Sequence, residues 1–216
     1  MSNFFNMDNA FFTTIGKLVD LFLISLIWVL LCLPVITAGP ATTALYYTVV
    51  KVIRRERGYL VREFFNSFKV NFKQGAVAGV IVLVLSFALY YDRKIVAVLE
   101  GNFGFVMFTL VNATSLILFC VSIYIFPVLS RFKMSLMQLL KSSLFMAMKH
   151  LPTTLLLAVI VIAFAVGVYV MPIVICLAPA LCCLVCSFFL ERVFKKYMPE
   201  KSGDEENTTT DEWYLE

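Results

Sequence analysis

Residues 151–190 read LPTTLLLAVIVIAFAVGVYVMPIVICLAPALCCLVCSFFL, a stretch without a single charged side chain. A hydrocarbon core of about 30 Å takes roughly 20 helical residues at about 1.5 Å each. The stretch is therefore long enough for two crossings. Met171-Pro172 divides it into runs at 151–170 and 172–191, with no charge at the turn. In lipid a single run of this length satisfies its backbone polar groups only as a helix. The expected fold class follows: an all-α, polytopic transmembrane helix bundle.

Outward from this pair, comparable runs lie at 16–35, 38–54, 75–91 and 105–130, which makes about six spans. The second is the shortest. It opens on Ala38-Gly39-Pro40 and crosses only if it continues to 54, with Lys51 reaching up to the headgroups. If 38–50 is instead a re-entrant or interfacial segment, five spans remain and the N-terminus lies outside. At 61% hydrophobic and 15% charged, with a mean hydropathy of +0.91, the chain is far from a soluble domain, which is nearer half apolar and a quarter charged. One membrane domain over 1–200 is expected. The acidic segment 201–216 reads as a disordered tail.

The cations sort by side. Lys51, Arg54, Arg55, Arg57, Arg62, Lys69 and Lys73 lie between runs two and three. Arg131, Lys133, Lys141 and Lys149 lie between four and five, and Arg192, Lys195, Lys196 and Lys201 follow the sixth. With Lys17, one side holds all but Arg93 and Lys94. The positive-inside rule makes that side cytoplasmic, the C-terminus with it, in a multi-pass protein of the cell membrane. The net charge of +4 is then a topology signal and no argument for nucleic acid.

Two linkers on the basic side have helical apolar periodicity. In 59–74 it is carried by Val61, Phe64, Phe65, Phe68 and Phe72, and in 131–150 by Leu136, Leu139, Leu140 and Leu144. Both read as cytoplasmic amphipathic helices in contact with the inner interface. A shift of 76 residues overlays Lys73-Gln74 on Lys149-His150 and the run 75–91 on 151–167, so span, amphipathic helix and span form a parallel repeat.

Chemistry has little to work with. One histidine, His150, supplies neither a triad nor a His-rich metal site. Cys182-Cys183-x-x-Cys186 lies in an apolar helix, where thiols pack as small hydrophobes. No enzyme, cofactor or metal is expected. Pro34, Thr37, Gly39, Pro40, Thr42 and Thr43 form the one broken, hydroxyl-rich segment, with Tyr46 and Tyr47 after it. It reads either as a binding or coupling element built on an interrupted helix, or as a helical hairpin turn with Pro40 near a helix start. Gly75 and Gly79 form a small-xxx-small face for close helix approach.

The string Leu33-Pro34-Val35-Ile36-Thr37-Ala38-Gly39-Pro40-Ala41-Thr42-Thr43-Ala44-Leu45-Tyr46-Tyr47 resembles the signature of the YesL family, small bacterial membrane proteins of unknown function. Lys51, the stretch Phe64–Phe72 and Lys149-His150-Leu151-Pro152 extend the resemblance over most of residues 10–195. The family carries no established activity or catalytic residue. Its members are typical of Gram-positive bacteria and often encoded near carbohydrate ABC importers. The resemblance thus implies an accessory or regulatory component of oligosaccharide ABC uptake, with membrane lipid and a permease as partners. The alternative is a small autonomous transporter or channel for an uncharged solute. That would need a polar cavity lined by Thr37, Thr42, Thr43, Tyr46 or Asn112.

Overall fold

The structure is a computed structural model that describes residues 10–197; the expected acidic tail lies outside them. Among the described residues there are seven α-helices and no strand. They are α1 (Ala10–Cys32), α2 (Ala38–Thr48), α3 (Leu60–Val96), α4 (Gly101–Arg131), α5 (Leu136–Lys149), α6 (Leu151–Val170) and α7 (Ala178–Phe194). Thr14–Cys32 of α1, and the whole of α3, α4 and α6, are long and apolar enough to cross a membrane. The other two apolar runs form shorter helices of 11 and 17 residues. A wider turn, Val49–Arg54, prolongs α2, and a tighter one, Pro172–Cys176, leads into α7.

The segment α2 runs through the bundle and does not lie along its surface. It packs against α1, α3, α4 and α7, and Ala41, Thr43, Ala44, Val49 and Val50 have no exposed surface. Lys17 near the start of α1 pairs with Glu56, just past α2, at 2.5 Å. The two helices therefore make a hairpin whose open end is basic. A short helix suffices here because its neighbours, not lipid, surround it.

The third apolar run and the amphipathic segment before it are not separate elements. They are one 37-residue helix, α3, about 55 Å long at the usual rise. The corresponding pair α5 and α6 is broken at His150 (φ −113°, ψ 49°), because Pro152 lies in the first turn of α6 where α3 has Ala76. Proline's ring and missing N–H forbid continuation from the preceding turn. The two segments thus differ in shape, continuous through Ala76 and broken before Pro152. Ser135 and Gln138 form a reciprocal capping box that starts α5.

Packing is dense towards the basic end. One cluster joins Tyr46, Tyr124, Val128, Leu139, Leu157 and Phe194; another joins Leu21, Ile24, Leu45, Ile53, Phe64 and Ala180. Polar bonds cross it as well. Ser25 Oγ takes the Ala180 N–H (3.2 Å), tying α1 to α7, and the Tyr124 and Thr154 hydroxyls meet at 3.0 Å between α4 and α6. Away from the basic end, α3 and α4 continue as a hairpin exposed on most faces.

Candidate functional site at the basic end

The hydroxyl-rich segment is built into the helix packing. Thr37 Oγ1 donates to the Leu31 and Pro34 carbonyls, the latter at 2.6 Å. Thr42 donates to the Ala38 carbonyl (2.7 Å) and accepts from Trp28 Nε1 (3.2 Å), while Thr43 donates to the Gly39 carbonyl (3.1 Å). These hydroxyls are turned onto nearby backbone. Gly39 and Pro40 face Gly75 and Gly79 of α3. A Cβ on Gly39 would land on the Gly75 carbonyl, and one on Gly75 would stand 2.9 Å from the backbone N of Pro40. The broken segment and the small-residue face are two halves of one helix crossing.

Past this crossing α2 delivers its two tyrosines to two charged nodes. Arg131, the last residue of α4, lays its guanidinium on Glu191 of α7, with Nε donating to Oε1 at 2.9 Å and Nη2 to Oε2. Tyr46 Oη donates to the same Oε1 at 3.1 Å, and Arg55 Nη2 stands 3.9 Å from Oε2. Glu191 is 3% exposed and Arg131 5%. Two helices and a loop therefore close on one carboxylate carried by a third helix. The bidentate fork and the phenol replace water that the carboxylate has lost, without which such burial costs several kcal/mol per ion.

The second node holds Lys51. Instead of reaching headgroups, it is buried and donates to Glu63 (2.8 Å) and to Tyr47 Oη (3.1 Å). The reason is the turn at Glu56–Gly58, with φ of 56° and 86°, which folds the start of α3 back onto α2. A Cβ on Gly58 would sit 2.9 Å from Glu63 Oε1, so glycine leaves room for the carboxylate that neutralises Lys51.

Beside the Glu191 node opens a cleft of about 420 Å³ lined by Arg54, Arg55, Arg57, Glu191 and Lys195. Arg54 donates to the Ser187 carbonyl (3.0 Å) with its guanidinium 4.6 Å over the Phe188 ring. Burial first, then Arg131, hold the Arg55 guanidinium below its usual range; Arg54 and Arg57 add to this while Glu191 opposes it. Nearby, His150 Nε2 lies 3.1 Å from Tyr197 Oη, and burial, then Lys196 and Lys149, push its pKa down, which favours the neutral ring. A second cavity, about 270 Å³, lies between α3 and α4 among Ser86, Tyr90, Arg93, Ser115 and Ser122.

Read from sequence, Arg131 is a topology signal and Glu191 draws no attention; the fold makes them partners. The signal for it is an acid inside the basic group that follows the last apolar run. The six cysteines, all among the described residues, carry free thiols. Among those residues no cluster of His, Cys, Asp and Glu could hold a metal.

Residues 21–93, from α1 through most of α3, match a family described as "Protein of unknown function, DUF624". No solved structure matches the chain. The "Uncharacterized protein YesL" of Bacillus subtilis (strain 168) is 30% identical over 161 residues, covering 74% of each chain. With the crossing and both charged nodes in place, the chain is a helical membrane protein that belongs to the YesL family.

Proposed function

We propose that this protein is an accessory or regulatory component of the cell membrane, neither an enzyme nor a conduit, with its basic end toward the cytoplasm. One observation carries the reading: α2 fills the middle of the bundle, and its threonines spend their hydroxyls on nearby carbonyls. Tyr46 is closed on Glu191, and Asn112 Nδ2 donates to the Phe108 carbonyl at 2.7 Å. Side chains a solute would need are thus already bonded. Beside its exposed cations, the basic end also presents apolar side chains, with Met137, Phe145 and Met148 exposed on α5. Such a face suits a headgroup layer or a membrane partner. For the partner we take the permease of a carbohydrate ABC importer, on the strength of the family resemblance.

A second reading, a carrier for an uncharged solute, draws on the cavity between α3 and α4 with its serines. Ser115 and Ser122 return their hydroxyls to Val111 and Phe119, which speaks against it. Purified protein in liposomes is expected to leave the flux of a sugar panel at background, and a mild-detergent pull-down to recover a permease. Accelerated flux, or repeated isolation of the protein alone, would count against the accessory reading. For orientation, cysteines placed at Arg57 and Lys141 should both be protected from an impermeant maleimide in intact cells. Labelling of either one from outside would defeat the assignment.

A further inference from the structure

The cleft at the basic end gathers four cations around one carboxylate. That carboxylate, Glu191, is occupied by the Arg131 fork and the Tyr46 hydroxyl from behind. Arg54, Arg55, Arg57 and Lys195 line the rest. Cations merely marking topology would be expected to spread apart in water, since like charges repel. Here the backbone holds them together. The wide turn Val49–Arg54 ends α2, Arg57 N–H returns to the Lys51 carbonyl at 3.1 Å, and the positive φ at Glu56 and Gly58 turns the chain sharply. The loop is pinned from outside by Lys17 on Glu56 and from inside by Glu63 on Lys51. Strained backbone held by its surroundings is commonly found at binding sites. Arg54 is further fixed by the Ser187 carbonyl and the Phe188 ring.

We infer that this cleft binds a phosphate-bearing group, either the headgroup of an anionic phospholipid or a soluble phosphorylated molecule. Guanidinium groups match phosphate oxygens in geometry as well as charge. Basic pockets between membrane helices at the bilayer surface suit phospholipid headgroups. The cavity of about 420 Å³ is within the range of small-molecule sites. The inference stands apart from the accessory reading, because the same cleft would serve a carrier or a subunit alike.

The test uses the full chain purified in uncharged detergent and follows thermal unfolding and retained lipid by native mass spectrometry. Micelles doped with phosphatidylglycerol are compared with phosphatidylcholine, and inorganic phosphate with chloride at equal ionic strength. Arg57→Gln and Lys195→Gln alter two exposed cleft residues. Each should weaken phosphate or lipid binding roughly tenfold, the scale of one charged hydrogen bond. Lys133→Gln and Lys141→Gln, exposed cations of the same end outside the cleft lining, should leave it unchanged. A response to phosphatidylglycerol alone assigns the headgroup, and one to inorganic phosphate assigns a soluble source. No response beyond chloride and phosphatidylcholine, or equal losses in cleft and control variants, overturns the inference.

Discussion

Glu191→Ala is expected to abolish the folded bundle, or to leave it so unstable that it survives only in the cold. The substitution strands the Arg131 guanidinium, 5% exposed and held by the lost carboxylate, among apolar helices. It also takes the acceptor from Tyr46 and removes the anion that faces Arg55. Removing one partner of a buried pair costs about 3–5 kcal/mol, against a total stability of about 5–15 kcal/mol for a typical domain. Glu191→Gln should be milder, since an amide oxygen still accepts from Tyr46 or Arg131. Tyr46→Phe should cost only about 1 kcal/mol, the net value of an ordinary hydrogen bond. Replacing both ions, as Glu191→Leu with Arg131→Met, should recover most of the loss, because no charge is then left without a counter-ion. Melting in detergent, read by size-exclusion fluorescence, checks the order. A Glu191→Ala protein that melts with the wild type would show that the pair contributes nothing to the fold.

Bulky residues at the α2–α3 crossing should be nearly as damaging. At Gly39 the first carbon of any side chain meets the backbone carbonyl of Gly75, which belongs to a 37-residue helix and has no rotamer to change. The helices must separate, and overpacking of this kind costs typically about 1–3 kcal/mol, more where backbone has to move. Gly39→Leu and Gly75→Leu should therefore destabilise strongly, and Gly39→Ala clearly. Gly79→Ala places its Cβ 3.2 Å from the Gly39 Cα, so a shift of a few tenths of an ångström accommodates it at small cost. At Gly16 and Gly167 an added methyl group would meet nothing within 4 Å; alanine there should be neutral or stabilise by up to about 1 kcal/mol through helix propensity. Thermal midpoints of these variants rank the positions. Equal effects at Gly39 and Gly167 would mean that α2 and α3 do not touch as described. Separation of α2 would also displace Tyr46, Lys51, Arg54 and Arg55, so the crossing sets the geometry of the basic cleft from the far end of the same helix.

Much of this molecule is readable in one dimension. The apolar runs give the helices because lipid leaves the backbone no other way to bond. Ser135 and Gln138 mark the start of α5, and Pro152 marks the break that α3 lacks, since caps and prolines act within one turn. The signature from Leu33 to Tyr47 places the chain in its family. Which helix lies beside which is not written in that alphabet. An apolar face looks the same whether it meets lipid or another helix, so Gly39 gives no hint of Gly75, nor Arg131 of Glu191, 60 residues away.

The all-α class, the number of apolar runs and the gathering of cations at one end were thus determined by the sequence itself, through length, hydropathy and charge placement. Tertiary structure alone decided that α2 is central, that Lys51 is buried on Glu63, and that Arg131 and Glu191 join. The physical reason is that a charge at a helix end is stable either in water or against a counter-ion, and only the folded neighbours determine which of the two it meets.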